Sequence, residues 1–299
     1  MKGGMEMDIG VIGGGSVGLL LSGYLSLQHT VTLYVRRSEQ KSTINSGGIE
    51  FTHSTKSIPI KSLLIGEQKK EDCIIICVKQ TDIASALRVL EQVNEDTSVI
   101  FLQNGMGHVK YLKGMKHPVY LGTIEHGALR MDDRTVRHSG KGNIKLSAYN
   151  QDMLSCSKLS KKLHQEYFPV IATEHWSKLL AEKLVINAVI NPLTALFDCK
   201  NGELLNNTFI LKLARELCRE TSLVLGLNGE EQWERVKKVA ENTAENRSSM
   251  CTDLKENRKT EIEAITGYLL DNSENKHIPY TAFVYDSIKA LEVKKGIIE

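Results

Sequence analysis

The sequence predicts an α/β chain in two parts, a parallel-sheet half followed by an all-α half. Three observations lead there. Short β-branched runs alternate with helical patterns up to about residue 170. A glycine-rich turn lies between the first apolar run and the first amphipathic segment. After His175 strand signals almost vanish and helical periodicity takes over.

In order, strands are expected near Asp8–Ile12, Val31–Val35, Cys73–Val78, Ser98–Leu102 and Val119–Gly122, with helices near Ser16–Leu27, Ser38–Asn45 and Ile83–Gln92. From Thr123 to Ser147, short alternating segments with Gly140 and Gly142 at turns read as antiparallel strands closing the sheet edge. Asp152–Gln165 reads as a helix and Phe168–Ala172 as a brief apolar run. The second half reads as helices near Trp176–Ile190, Thr208–Leu225, Glu230–Glu245, Thr260–Leu270 and Thr281–Leu291. At 299 residues the chain exceeds what one core usually organises, so two domains are expected, at 7–172 and 173–299.

Composition narrows the function. Hydrophobic residues at 41%, charged residues at 25% and only 5 Pro describe a packed globular chain. A formal charge of +2, with basic residues spread along the chain, argues against nucleic acid or membrane as the main partner. The apolar runs Ile9–Ile12 and Ile74–Val78 are strand-sized, well below the ~20 residues of a membrane span. No secretory signal is visible, and Met1–Glu6 reads as a tail before the first strand. Six cysteines without a CxxC or paired Cys/His spacing suggest reduced thiols, a cytoplasmic location and no metal site. The all-helical half could pair with a second copy, so a monomer or homodimer is expected.

Gly13-Gly14-Gly15-Ser16-Val17-Gly18 places G-x-G-x-x-G between an apolar strand and an amphipathic helix, the context of a Rossmann dinucleotide-binding turn. There Gly13 permits the tight turn, Gly15 lets backbone approach a pyrophosphate, and Gly18 allows close helix–strand packing. The second strand ends in Arg36-Arg37, where an NAD-binding chain usually carries an acid for the ribose 2′-hydroxyl. Guanidinium attracts a 2′-phosphate through paired charge-assisted hydrogen bonds, so NADPH is the expected cofactor, unless the pair is only a solvated strand end. Lys79 and Asn104 follow two further strands, at the carboxyl ends where ligands of such sheets lie; each also suits a turn. In the helical half, Lys183, Asn187 and Asn191 fall at i, i+4 and i+8 on one face of an otherwise apolar helix. Buried there, they need partners, in the protein or in a ligand. Pro192 should end or kink that helix.

Together with Val78-Lys79, Asn104-Gly105-Met106-Gly107, Lys183–Asn187, Asn191-Pro192-Leu193-Thr194-Ala195, Asn201-Gly202-Glu203-Leu204, Ser248-Ser249-Met250 and Thr260-Glu261-Ile262, the glycine motif resembles the ketopantoate reductase family, in order from about Met7 to Leu270. The resemblance implies a Rossmann domain and an all-α C-terminal domain similar to that of the 6-phosphogluconate dehydrogenase group. It implies NADPH-dependent reduction of 2-dehydropantoate to pantoate, in pantothenate and coenzyme A biosynthesis. By motif, Lys183 takes the general-acid position and Glu261 that of the acid engaging the substrate's polar groups. Asn187, Asn191, Asn201 and Ser249 correspond to substrate contacts, and Lys79 and Asn104 to residues serving cofactor and substrate. Asp253 is a further polar position without a clear role. Glu125-His126-Gly127 departs from the small or hydroxyl residues common there, and His126 reads as a surface or packed histidine. Cys251 has no adjacent base and is not read as a nucleophile. The competing readings are a reductase of another 2-keto acid or an imine, and a redox sensor that binds NADPH without turnover.

Overall fold

The computed structural model describes residues 6–54, 56–67 and 69–299, so the expected tail lies outside the described residues apart from Glu6. The fold is α/β. Its backbone divides into two compact units, one running to Gln103 and resuming from Lys110 to Leu179, the other made of Asn104–Val109 and Leu180–Glu299.

In the first unit the elements are β1 (Asp8–Ile12), α1 (Ser16–Leu25), β2 (Thr30–Val35), α2 (Ser38–Gly47), β3 (Glu50–Phe51), β4 (Lys61–Leu64), β5 (Cys73–Ile76), α3 (Ile83–Leu90), β6 (Ser98–Phe101), β7 (Val119–Ile124), β8 (Gly127–Arg130), β9 (Thr135–Gly140), β10 (Ile144–Ala148), α4 (Met153–Leu163) and β11 (Val170–Ala172). The main sheet has eight strands in the order β11-β10-β7-β6-β5-β1-β2-β4. From β4 through β7 every pairing is parallel. Parallel strands covered on both faces need apolar residues on both, and β1, β2 and β5 carry them: Ile9, Val11, Leu33, Ile74 and Ile76 are fully buried. The chain winds outward from β1 through β2 to β4, then returns to β5 on the other side of β1. That reversal is a topological switch point, and its carboxyl end is where doubly wound sheets place ligands.

Two expectations for this unit are corrected. The 123–147 stretch closes the sheet only in part: β7 and β10 pair antiparallel, but the true edge is β11, parallel to β10. The hairpin β8–β9 leaves the sheet and joins β3 in a separate three-stranded sheet. Neither β3 nor β4 was expected: Glu50–Phe51 is two residues long, and Lys61-Ser62-Leu63-Leu64 carries no β-branched or aromatic residue and no apolar–polar alternation.

The second unit is helical: α5 (Trp176–Leu196), whose first turn precedes the unit, then α6 (Glu203–Asn206), α7 (Thr208–Leu225), α8 (Gly229–Asn242), α9 (Ser249–Lys255), a π-helical turn at Glu263–Gly267, α10 (Tyr268–Asp271) and α11 (Pro279–Lys294). The helix α5 is its spine. Val185, Val189 and Leu193 pack into one apolar cluster with α7 and α8, while Leu184 and Ala188 pack into another with Met250, Ile262 and Ile288. Burial on opposite sides explains why this helix is apolar nearly all round. It alone, among the described residues, is long and apolar enough to cross a membrane, contrary to the strand-sized runs expected, yet 72% of that apolar window is buried inside the protein.

Pro192 does not end α5, which continues to Leu196. Packing on both sides outweighs the lost backbone bond, and the next turn is tied by the Thr194 hydroxyl donating to the Ile190 carbonyl at 2.8 Å. The single helix expected at Thr260–Leu270 is instead the π turn followed by α10, and α6 and α9 are short helices the periodicity did not resolve.

Candidate active site

The glycine turn sits at the switch point. Gly13 has φ +115°, a conformation L side chains rarely adopt, and its N–H donates to the Tyr34 carbonyl at 2.9 Å. A Cβ on Gly18 would lie 1.8 Å from the Gly13 carbonyl oxygen, so only glycine lets α1 pack this close to the turn. A Cβ on Gly15 would meet nothing within 4 Å, which leaves open space before the α1 N-terminus. No acid occupies the first turn of α1 and no side chain caps it, so backbone N–H groups of Ser16 and Val17 and the positive helix end are available to an anion. Gly14 is held from behind: buried Gln40 donates to its carbonyl at 2.8 Å and to the Asp133 carbonyl at 3.0 Å.

Arg36 and Arg37 follow β2 and are exposed. Each already faces a carboxylate: Arg36 Nη1 lies 3.0 Å from Asp82, and Arg37 pairs with Asp133, which Arg130 also approaches at 4.0 Å. Exposed pairs of this kind are worth at most about 1 kcal/mol, so a dianionic phosphate can displace or share them. Lys79 is exposed just past β5, at the head of the 3-10 turn carrying Asp82. Together these residues surround the turn with cationic side chains and backbone donors, the composition a dinucleotide phosphate requires.

In the helical unit, three of the expected residues form one hydrogen-bonded chain. Asn187 Nδ2 donates to Asn104 Oδ1 at 3.3 Å, and Asn104 Nδ2 donates to Glu261 Oε2 at 2.8 Å. Asn104 is brought there by its neighbour: Gly105 has φ +78°, and a Cβ on it would lie 2.1 Å from the Ala264 carbonyl oxygen of the π turn. Lys183 is half-buried one turn before Asn187 on α5. Asn191, a turn beyond, is buried, and its carbonyl accepts from Thr194 and Ser248.

The remaining expected residues lie apart from that chain of bonds. Asn201 Nδ2 donates to Thr243 at 2.9 Å, while its Oδ1 is buried without a protein donor. Ser249 is exposed at the start of α9; the buried serine of the pair is Ser248, whose hydroxyl caps α9 by accepting from Cys251 N at 3.1 Å. Asp253 is held by Arg258 at 2.9 Å. Cys251 is buried, with Arg247 Nη1 at 3.4 Å and Asp198 at 3.7 Å. His126, in the first unit, is a packed histidine: it stacks on Phe168 at 4.3 Å, its Nδ1 lies 3.0 Å from His138 Nε2, and burial, with His138 beside it, lowers its pKa to about 4. Sequence reasoning missed Gln40, Gly105 as a packing residue, and Ser248. The S-x-x spacing before Cys251 was the available signal for the last.

Two profiles match most of the chain: Ketopantoate reductase PanE/ApbA over residues 9–151, and its C-terminal counterpart over 175–292. The chain is 41% identical to a 2-dehydropantoate 2-reductase of Bacillus subtilis, over 96% of this chain and 98% of the relative, and 35% identical to one of Listeria monocytogenes over 98% and 99%. The crystal structure of a probable 2-dehydropantoate 2-reductase from Bacillus subtilis superposes with a TM-score of 0.86, covering 95% of this chain and 100% of that one. A D-mandelate dehydrogenase solved with NADH superposes at 0.90 over 97% and 99% with 21% identity, a likeness of fold alone. The chain belongs to the ketopantoate reductase family and is an oxidoreductase of the nicotinamide-dependent kind.

Proposed function

We propose that the chain reduces 2-dehydropantoate to (R)-pantoate with NADPH, in the cytoplasm, as a step of pantothenate and coenzyme A biosynthesis, and works as a monomer or homodimer. In this reading 7–172 is the NADP-binding domain and 173–299 the substrate domain, with Asn104 serving the latter. The observation that carries the reading is the chain of bonds from Asn187 through Asn104 to Glu261, one turn from Lys183.

NADPH, when bound, supplies the hydride that reduces the ketone carbon. The residues do the rest. Gly13, Gly14, Gly15, Ser16, Val17 and Gly18 form the turn that receives the pyrophosphate, with backbone N–H groups at the head of α1 as donors and Gly13 setting the turn; Arg36 and Arg37 receive the 2′-phosphate and so favour NADPH over NADH; Lys79 and Asn104 orient cofactor and substrate. As negative charge develops on the ketone oxygen, the Lys183 ammonium stabilises it and then gives it a proton, acting as general acid. Glu261 accepts from a substrate hydroxyl, and its bond to Asn104 orients the carboxylate for that contact. Asn187, Asn191 and Asn201 supply neutral donors and acceptors, with the spare Asn201 Oδ1 a ready acceptor, and Ser249 donates to the substrate carboxylate.

The test is oxidation of NADPH, followed by loss of reduced-nicotinamide absorbance, with 2-dehydropantoate against a panel of other 2-keto acids and imines. Selective turnover of 2-dehydropantoate is expected. Preference for another member of the panel would move the substrate, and tight NADPH binding without turnover would favour a sensor.

A further inference from the structure

The segment carrying Glu261 is held by groups outside the proposed site. On α11, Tyr285, Lys289 and Glu292 fall at i, i+4 and i+7 and share one helix face. Each reaches the 260–267 stretch or a neighbour that does. Tyr285 donates to Glu263 Oε2 at 2.8 Å, Lys289 Nζ lies 2.9 Å from Glu263 Oε1, and the Glu292 carboxylate accepts the Thr260 backbone N–H at 2.7 Å.

Glu292 is the unusual member, because its side chain is 0% exposed. Burying a carboxylate is costly and is tolerated only where hydrogen bonds or a counter-charge offset the desolvation. Here the offset is the Thr260 N–H, with Lys289 Nζ at 3.5 Å. That bond ties the Glu292 side chain to a backbone position rather than to another side chain, which rotamer changes could release. The fixed residue is the one before Glu261. On the other side, the Thr260 hydroxyl accepts the Ile262 N–H at 3.3 Å, and Ala264 and Ile265 donate to the Glu261 carbonyl at 3.0 and 3.1 Å. The backbone around Glu261 is thus determined from both sides, and Gly105 abuts the same turn at Ala264.

We infer that Glu292 is a positioning residue for the reaction: its buried carboxylate sets the Thr260–Ile262 turn and thereby aims the Glu261 carboxylate at Asn104 and the substrate. This rests on the reading of Glu261 as a substrate contact. Misplacing a contact group by about 1 Å can cost about 10²-fold in rate, so a backbone anchor on the residue next to Glu261 has kinetic weight.

The experiment compares Glu292→Met, Glu292→Gln, Thr260→Val and Glu261→Gln by kcat/KM for 2-dehydropantoate at saturating NADPH, NADPH Kd and Tm. Glu292→Met removes the acceptor and is expected to lower kcat/KM by about 10–100-fold while NADPH Kd stays within about twofold. Glu292→Gln keeps an acceptor for the Thr260 N–H and should recover most of that loss. Thr260→Val removes the hydroxyl end of the turn without touching a buried charge, and should lower kcat/KM by about 3–10-fold even if Glu292→Met does not fold. A fall in Tm with kcat/KM preserved in Glu292→Met, or unchanged kinetics in Thr260→Val, overturns the inference. Glu261→Gln separates the two levels: parental kinetics there overturn the reading of Glu261 and the inference with it, whereas an impaired Glu261→Gln beside unimpaired Glu292→Met and Thr260→Val overturns the inference alone.

Discussion

At the glycine turn the groups on offer are backbone N–H donors at the head of α1, within the six consecutive residues Gly13 to Gly18, shaped by what glycine lacks. In the helical unit the groups on offer are side chains, and they come from segments 83 and 157 positions apart, at Asn187, Asn104 and Glu261. The first arrangement tolerates almost any residue that leaves the backbone path intact; the second depends on each functional group being itself. A site made of backbone therefore fails through steric intrusion, and a site made of side chains fails through loss of a single atom type.

That contrast yields predictions of graded size. Lys183→Ala should lower kcat by about 10²–10⁴-fold, the usual weight of a positioned general acid, with NADPH Kd unchanged by equilibrium titration. Undiminished kcat would take Lys183 out of the chemistry. The glycines provide a matched pair. Gly18→Ala should weaken NADPH by about 10–100-fold, because its Cβ would meet backbone at 1.8 Å, while Gly105→Ala should lower kcat by a similar factor with NADPH Kd retained, its Cβ meeting backbone at 2.1 Å. If both variants lost the same parameter, the division into a backbone site and a side-chain site would not hold.

Neutral replacement of Arg36 and Arg37 together should weaken NADPH by about 10–100-fold more than NADH, the loss of charge-assisted bonds to one phosphate. Parallel losses for the two cofactors would remove the 2′-phosphate from their role. The smallest expected effect concerns pH. Burial holds His126 neutral in the folded protein down to about 4, while its ordinary value is 6.5. The unfolded chain then binds more protons between those values, so this part of the stability is full above about 6.5 and is lost as pH falls toward 4. His108, in the helical unit, has the same lowered value from burial and contributes in the same direction. Tm measured across that window should fall with pH, and less steeply in His126→Phe; an equal slope would assign the loss to other groups.

The backbone site was the more legible of the two for a physical reason. A turn between a strand and a helix is written in contiguous residues, and both periods flanking Gly13–Gly18 appeared where expected. Arg36 and Arg37 were legible as charges, but the carboxylates facing them, Asp82 and Asp133, were not, since they arrive from 46 and 96 positions away. On α5 the four-residue spacing put Lys183, Asn187 and Asn191 on one face, but could not say that Asn187 would meet Asn104. Pro192 did not end the helix, because two apolar clusters hold it on either side, which local propensity does not weigh. The π turn and Glu292 were beyond reach: one is a hydrogen-bond pattern, the other a buried acid that looks like any surface glutamate at the end of a helix.

Asn104–Val109 belongs to the helical unit although it is written in the middle of the first. During synthesis at about 5–20 residues per second, Asn104 leaves the ribosome about 8–30 s before Glu261, 157 positions later. Throughout that interval the growing first unit must carry a short segment whose partners in the helical unit have not yet been made, including His108, which ends wholly buried. The polar array therefore cannot close before Glu261 has been made, so a chain cut short anywhere ahead of it keeps Asn104 without that partner.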